Sequence, residues 1–408
     1  LNRYISAAQK ISRLAVGTVA TPTDTTFRIR PDVTQEEHVA GLPLGTRGGG
    51  LFMHHFPQDG DYRISIRLTR DRDELVEGLH ETHEMVVLLD GEQMAQFTIA
   101  PPAGSVESTY NTRVSHAAVD RHLHATIPVT AGTHRLGVTF LKNPSSLLET
   151  KRQPLNVHFN VYRHPRIGPA VLQVMITGPH DAQGPGRSLS RERIFVCQPT
   201  SAEDETQCAE KIIRALLQRA YRRPVDAAEL QAKLALFRQA QARAGFDAGI
   251  EFALSAILVN PEFLFRIEST PNTATPGVAY RVTDIDLASR LSFFLWSSLP
   301  DDELLDMAIA KRLFEPELVE SQVRRMLSDA KADALVTNFA AQWLYLRNLN
   351  ATAPDMRLYP DFDDNLRQAF RKETELVFQE VVQQDRSVLE LLSRSSTYLN
   401  ERLAKHYD

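Results

Sequence analysis

Long apolar runs are missing from this chain of 408 residues. No stretch approaches the roughly 18 residues of a membrane-spanning helix, and the most apolar short piece, Leu291 to Trp296, has the length of a buried helix face. An excess of positive charge is missing too. Lys and Arg number 46 against 51 Asp and Glu, a formal net charge of -5, which argues against nucleic acid as the main partner because a phosphate backbone draws clustered cations. Cysteine is scarce, with only Cys197 and Cys208. There is no Cys-x-x-Cys-His, so this chain does not itself attach c-type haem. The HExxH and Cys-His spacings of metal sites are absent, as are a nucleophile elbow and a Ser-His-Asp arrangement. No signal-peptide pattern opens the chain and no fixed-period repeat runs through it.

What is present divides into two halves with different periods. To about residue 178 the chain alternates. "YRISIRL", "MVVLLDGEQMAQFTIA", "HLHATIPV", "HRLGVTFL" and "LNVHFNVYR" are short runs rich in Val, Ile, Leu and Phe, separated by Gly, Pro and Asp. Asp90-Gly91 between two such runs is a hairpin signal. Several strands at this spacing predict an antiparallel β-sandwich. "ITGPHDAQGPGRSLS" reads as a linker. After Cys208 apolar residues recur at three- and four-residue steps, which predicts helices. Asn260-Pro261 starts one, with Asn as cap and Pro at the first position. Pro300 opens another, and Asp301, Asp302 and Glu303 fall in its first turn, where the helix dipole favours anions. Those three acids therefore read as helix-start chemistry rather than a catalytic cluster. Arg222-Arg223 before Pro224 likewise suit a helix end. Trp296 and Trp343 sit in apolar helical runs and are expected in the core.

Candidate sites are few. "GTRGGGLFMHHFPQDGDY" holds four glycines in six residues, but Arg47 interrupts them and a strand follows, where a phosphate loop needs Gly-Lys-Ser/Thr and a helix. Glycines entering a strand mark a bulge or a close backbone approach. His54 and His55 point to opposite faces of that strand and cannot share one metal. Twelve of the thirteen histidines precede residue 181. His122 and His124 share a strand face and His80 and His83 can meet at a turn; neither pair has metal-site spacing. Asp59 and Asp61 flank Gly60 in a turn, and paired carboxylates in a β loop can also hold calcium through oxygen ligands. Cys197 and Cys208 bracket a polar loop. Closing it would add roughly 3 kcal/mol in the chain-entropy model; two reduced thiols are the alternative, and spacing does not decide between them.

Seven motifs occur in order: "YISAAQKISRLAVG", "LPLGTRGGG…HHFPQDGDY", "RIFVCQPTSAEDETQCA", "RAYRRPV", "AILVNPEFLFRIE", "LASRLSFFLWSSLPDDELL" and "LNERLAKHY". Together they resemble, over essentially the whole chain, the large secreted cytochrome-associated proteins first noted in planctomycetes, which are strings of domains of unknown function. The resemblance implies a helix at 1–19 that is the tail of a preceding domain and a β-sandwich at 20–178 like the jelly roll of calcium-dependent carbohydrate-binding modules. It further implies a linker at 179–200 and helical domains at 201–269 and 280–408, the last continuing into a further C-terminal region. It implies export to the periplasm, cell surface or medium, and with that a disulfide between Cys197 and Cys208. It places c-type haem in other domains of the parent protein.

The expectations follow. The fold is an antiparallel β-sandwich followed by an α-helical region. The sandwich binds polysaccharide, with Tyr62 and Tyr110 as candidate aromatic platforms (Tyr62 fits a core position equally), and Asp59 and Asp61 as candidate calcium ligands. The helical half carries no self-contained active site. Leu399, Leu403 and Tyr407, at four-residue steps, offer one face to haem-bearing domains or to a partner subunit of a redox complex. The chain is then the non-catalytic binding and scaffolding part of an exported c-type cytochrome-linked oxidoreductase system. A polysaccharide-active hydrolase and a purely structural redox subunit are the alternatives.

Overall fold

The computed structural model describes all residues except 1, 18–20, 31–32, 34, 72–73, 104–115, 143–165, 167, 183, 269, 271–273, 356–357, 360–361 and 408. The run "LNVHFNVYR" therefore lies outside the described residues. The chain forms two compact units. One is Gly17–Leu189 with Ala353–Gln368; the other is Leu1–Val16, Ser190–Thr352 and Ala369–Asp408.

The first unit is the predicted antiparallel sandwich. Its strands are β1 Thr23–Arg28, β2 Thr46–Phe56, β3 Gly60–Leu68, β4 His83–Leu89, β5 Glu92–Ile99, β6 His124–Val129, β7 Gly132–Leu141 and β8 Val171–His180. They make two four-stranded sheets, β1-β8-β3-β6 and β2-β7-β4-β5. Alternation does the sorting: Tyr62, Ile64, Ile66 and Leu68 of β3 face inward with Val174 and Ile176 of β8, and meet Phe56, Met85, Val87, Leu136, Val138 and Phe140 of the other sheet in one core. Asp90 and Gly91, both at positive φ, turn β4 into β5, as a two-residue hairpin requires.

The glycine-rich stretch is the bulge and close approach that its composition predicts. The β2–β7 register shifts between Arg47 and Gly50. Gly48 and Gly49 have φ of +56° and +71°, and a Cβ on Gly49 would lie 1.8 Å from the Val138 carbonyl oxygen. The Gln35 side chain locks this kink. Its Oε1 accepts the Gly49 and Val171 N–H groups and its Nε2 donates to the Val171 carbonyl, all at 2.7–2.9 Å, so one buried amide ties β2 of one sheet to β8 of the other. The kink turns Arg47 inward, where its guanidinium donates to the Gln35 and Pro169 carbonyls and lies 4.7 Å from the Phe140 ring centroid. Burial pushes Arg47 down to about 10.

The second unit is helical: α1 Asn2–Val16, α2 Leu189–Ile194, α3 Glu205–Tyr221, α4 Ala227–Ala244, α5 Phe246–Leu258, α6 Pro261–Leu264, α7 Asp284–Trp296, α8 Asp302–Ile309, α9 Pro316–Ser328, α10 Ala341–Trp343, α11 Asp364–Gln383, α12 Glu390–Ser393 and α13 Glu401–Tyr407. Leu189 and the first residues of α11 count with the sandwich unit. Asn260 caps α6, Thr283 caps α7 and Asp301 caps α8; Asp226 and Glu229 close a capping box on α4. One core is built from α3, α4 and α5 with Val16 of α1; a second is built around Trp296, Leu304, Met326 and Phe378. Small residues set how α1 packs: Ala8, Ser12 and Val16 are buried, while the larger apolar Tyr4, Ile5 and Ile11 are exposed, and Arg13 reaches Glu251 of α5 at 3.6 Å.

Two outcomes test this fold. Gly49→Ala is expected to cost at least about 2 kcal/mol, since it combines a forbidden contact with a positive φ; chemical denaturation measures it, and a neutral effect contradicts the close approach. The second concerns pH. Burial pushes His54 and His83 each from 6.5 down to about 4, with His55 beside the first and Arg47 beside the second as lesser causes. Between about 6.5 and about 4 the unfolded chain binds more protons than the folded one, so stability falls as pH falls through that window. The sandwich melting temperature should drop there, and His83→Leu should make the drop shallower whatever its absolute stability. A melting temperature that is flat across the window contradicts neutral burial.

Candidate functional site

The sandwich presents two outer faces of different character. That of sheet β2-β7-β4-β5 is partly covered: Val39 and Leu42, in the segment before β2, pack on Leu51, Val86 and Leu88. On the other sheet, directly paired residues share a face, and the outer rows read Arg28–Gln173–Arg67, Asp24–Thr177–Arg63–Thr126 and Thr26–Met175–Ser65–His124 across β1, β8, β3 and β6. Arg28, Arg63 and Arg67 are exposed. The alternation in "YRISIRL" puts Arg63 and Arg67 opposite the buried isoleucines and so carries a sequence signal. The row with Arg28 depends on strand pairing, which the pattern does not contain.

Tyr62 does not serve as a surface platform on this structure. Tyr62 is 1% exposed; its hydroxyl donates to the Gln58 carbonyl at 2.9 Å, its ring packs edge-on against Phe56 at 4.7 Å between centroids, and burial pushes its hydroxyl up to about 12. The alternation that marks it as a strand residue also turns it inward. Tyr110 lies outside the described residues. The candidate calcium ligands lie at the turn into β3. Asp59 Oδ1 accepts the Ala131 N–H at 2.6 Å, which is turn chemistry, and Asp59 and Asp61 join no group of three or more His, Cys, Asp or Glu among the described residues. The histidines are engaged singly. His54 packs edge-on against Phe56, His55 Nδ1 meets Thr133 Oγ1 at 3.1 Å, and His134 bonds Asp90 at 2.5 Å and the Thr130 carbonyl at 3.0 Å.

In the helical unit the acids belong to its framework. Asp301 caps α8 by accepting the Leu304 N–H and takes a two-pronged contact from Arg325 at 2.6 and 3.0 Å. Burial pushes its carboxyl up, but these bonds outweigh burial and hold it below the usual range. Asp302 is gripped by Arg219 at 2.7 and 2.8 Å and is held low by that contact. Glu229 is held low by Arg223, and Glu303 accepts from Gln322. Carboxyls held in this way are anions at neutral pH and have no proton to donate. Arg222, the αL C-cap of α3, is spent on the carbonyls of Ala220, Glu262 and Phe265 and lines a polar cleft of about 660 Å³ with Tyr221, Arg266 and Asp286.

The larger feature is apolar. An open groove of about 820 Å³ is lined by Trp343, Leu344, Val377, Val388, Leu389 and Leu392, with Glu373 and Arg394 among its polar residues. Leu392 is 91% exposed. Trp343 stacks near Phe339, which meets Phe294 and Phe378. Trp296 is core, its Nε1 donating to the Met326 carbonyl at 2.9 Å, but Trp343 is 52% exposed, against expectation. Leu335–Ala340 is wound as a π-helix, which shifts the face that the next residues present. The terminal face also differs from its reading. Asn400 caps α13 by accepting the Leu403 N–H, so Leu399 precedes the helix. Leu403 is 1% exposed within its own chain, and only Leu399 and Tyr407 of that face stay open. The Tyr407 hydroxyl donates to Glu373.

The predicted disulfide is present. Cys197, after α2, is bonded to Cys208 in the first turn of α3, at the edge of the α3-α4-α5 core.

Comparison with known families gives two matches. Residues 208–268 match the family described as PSD5, protein of unknown function (DUF1595), and residues 282–408 match PSD4, protein of unknown function (DUF1592). The helical region thus holds two such domains in tandem, and the sandwich lies outside both. No curated protein and no solved structure matches the chain.

Peptide mapping without reductant should recover Cys197 linked to Cys208. The Cys197→Ser/Cys208→Ser variant should unfold with roughly 3 kcal/mol less stability, the chain-entropy value for so short a loop. Two free thiols in protein taken from an oxidising compartment would contradict the assignment.

Proposed function

We propose that this chain is the non-catalytic binding and scaffolding part of an exported c-type cytochrome-linked oxidoreductase system. In this reading the sandwich holds polysaccharide at the cell surface or in the periplasm, and the helical unit seats haem-bearing domains carried by the parent protein or by a partner subunit. The open apolar groove beside Trp343 carries the proposal. Contiguous exposed apolar surface of this kind marks a protein-protein contact, and a groove lined mainly by apolar side chains complements the apolar edge of a haem-bearing domain. The tandem domains of unknown function and the seven-motif resemblance supply the cytochrome context. The disulfide suits an oxidising compartment, and no helix among the described residues is long and apolar enough to cross a membrane. The carboxylates of the helical unit support scaffolding over hydrolysis, because Arg partners hold Asp301, Asp302 and Glu229 as anions.

The full parent protein should show the reduced-minus-oxidised spectrum of c-type haem. This chain, expressed separately, should co-elute with the haem-bearing part. A Leu389→Ser/Leu392→Ser variant should lose that association with its melting temperature preserved, since both side chains are largely exposed. A haem-free parent protein, or polysaccharide cleavage by this chain alone, would sink the proposal.

A further inference from the structure

We infer that the open face of sheet β1-β8-β3-β6 is a binding surface for an anionic polysaccharide, a uronate polymer, with Arg28, Arg63 and Arg67 as its contacts. The inference rests on the carbohydrate reading above and narrows it to a charge class.

The geometry comes from strand pairing. Arg28 and Arg67 lie in one row with Gln173 between them, two strand spacings or about 10 Å apart. Arg63 lies four residues along β3 from Arg67, about 13 Å away. All three are exposed and have no ion pair or hydrogen-bonding partner among the described residues. Arg70 on Asp120 and Arg166 on Glu77, by contrast, are matched to carboxylates. The three lie too far apart to be directly opposed, so their mutual repulsion is weak and screened; Asp24 and Asp61 share the face with them, and the guanidiniums are what a polyanion would meet.

The groups between the arginines fit a sugar. Thr26, Ser65, Thr126, Thr177 and Gln173 offer hydroxyls and an amide along the same rows. Guanidinium forks match carboxylates in two-pronged geometry. No Phe, Tyr or Trp lies in these rows, so the contact relies on charge and hydrogen bonds rather than on ring stacking. Duplex DNA, with one charge per roughly 1.7 Å of axis, is too dense in charge for cations so widely spaced. The face also carries Asp24, which accepts from Thr177 Oγ1 at 2.7 Å, and that further disfavours a continuous phosphate backbone.

The test uses the whole chain with four probes: polygalacturonate, its neutral methyl ester, xylan and duplex DNA. Affinity is measured at about 20 mM and about 500 mM NaCl, which span strong and weak screening. Polygalacturonate should bind at low salt and be released at high salt. The Arg28→Gln/Arg63→Gln/Arg67→Gln variant should bind it about tenfold more weakly, the product of three exposed charge pairs, with an unchanged melting temperature because all three side chains are at the surface. Equal binding by the variant, equal binding of the methyl ester, or tighter binding of DNA overturns the inference. If xylan or the methyl ester binds and the variant behaves as the parent, the carbohydrate reading survives without this one. If no glycan binds at either salt concentration, both fall.

Discussion

The sandwich is organised by one close approach, that of the β2 backbone to Val138 at Gly49. No side chain fits there, so the strand can kink, and the kink needs something to satisfy its freed N–H. Gln35 does so and, with its other bonds, joins the two sheets at β8. Two consequences follow. Arg47 is turned into the interior, where carbonyls and the Phe140 ring receive it. The segment that delivers Gln35 continues over the outside of its own sheet, placing Val39 and Leu42 on Val86 and Leu88. On the arginine-bearing face of the other sheet no comparable apolar cover is found among the described residues.

The helical unit solves a different problem. Many of its charged residues sit where helices start, end and meet: Asp301, Asp302 and Glu229 are each a cap or one half of an Arg contact. Asp301 is both, holding the start of α8 and receiving Arg325 of α9. Polar groups satisfied in this way fix helix positions and leave the apolar side chains to decide what else the unit does. Most are buried in two cores. Those around Trp343 and Leu389 are not, and the π-helical turn before them puts aromatic rings at the surface.

The two units therefore divide two kinds of surface. The sandwich offers charge and hydroxyls without exposed rings in its open rows; the helical unit offers, beside Trp343, a groove of rings and leucines. A chain with a net charge of -5 can still carry a basic face, because net charge sums over both units while a ligand meets one sheet.

By itself the sequence determined the β-then-α order, the strands β2 to β7, the Asp90-Gly91 hairpin, the glycine bulge and the caps at Asn260 and Asp301; β1 was not legible, and residues 176–180, which read as linker, are the end of β8. Each feature so determined is set by a local rule: alternation, turn conformation, or a side chain that reaches its own helix end. It also held half of the basic face, since Arg63 and Arg67 alternate with Ile64 and Ile66. Tertiary structure alone decided the rest. Whether Tyr62 faces ligand or core depends on which side of β3 the second sheet packs. Arg28 joins Arg67 only because β8 inserts between their strands in one register. Trp343 reaches the surface because the helix before it departs from the 3.6-residue period, and Leu403 is buried by its own chain. For Tyr62, Arg28 and Leu403 the deciding partner is distant in sequence and local periodicity carries no record of it; for Trp343 the cause is a local departure from the 3.6-residue period that a regular helical pattern does not show.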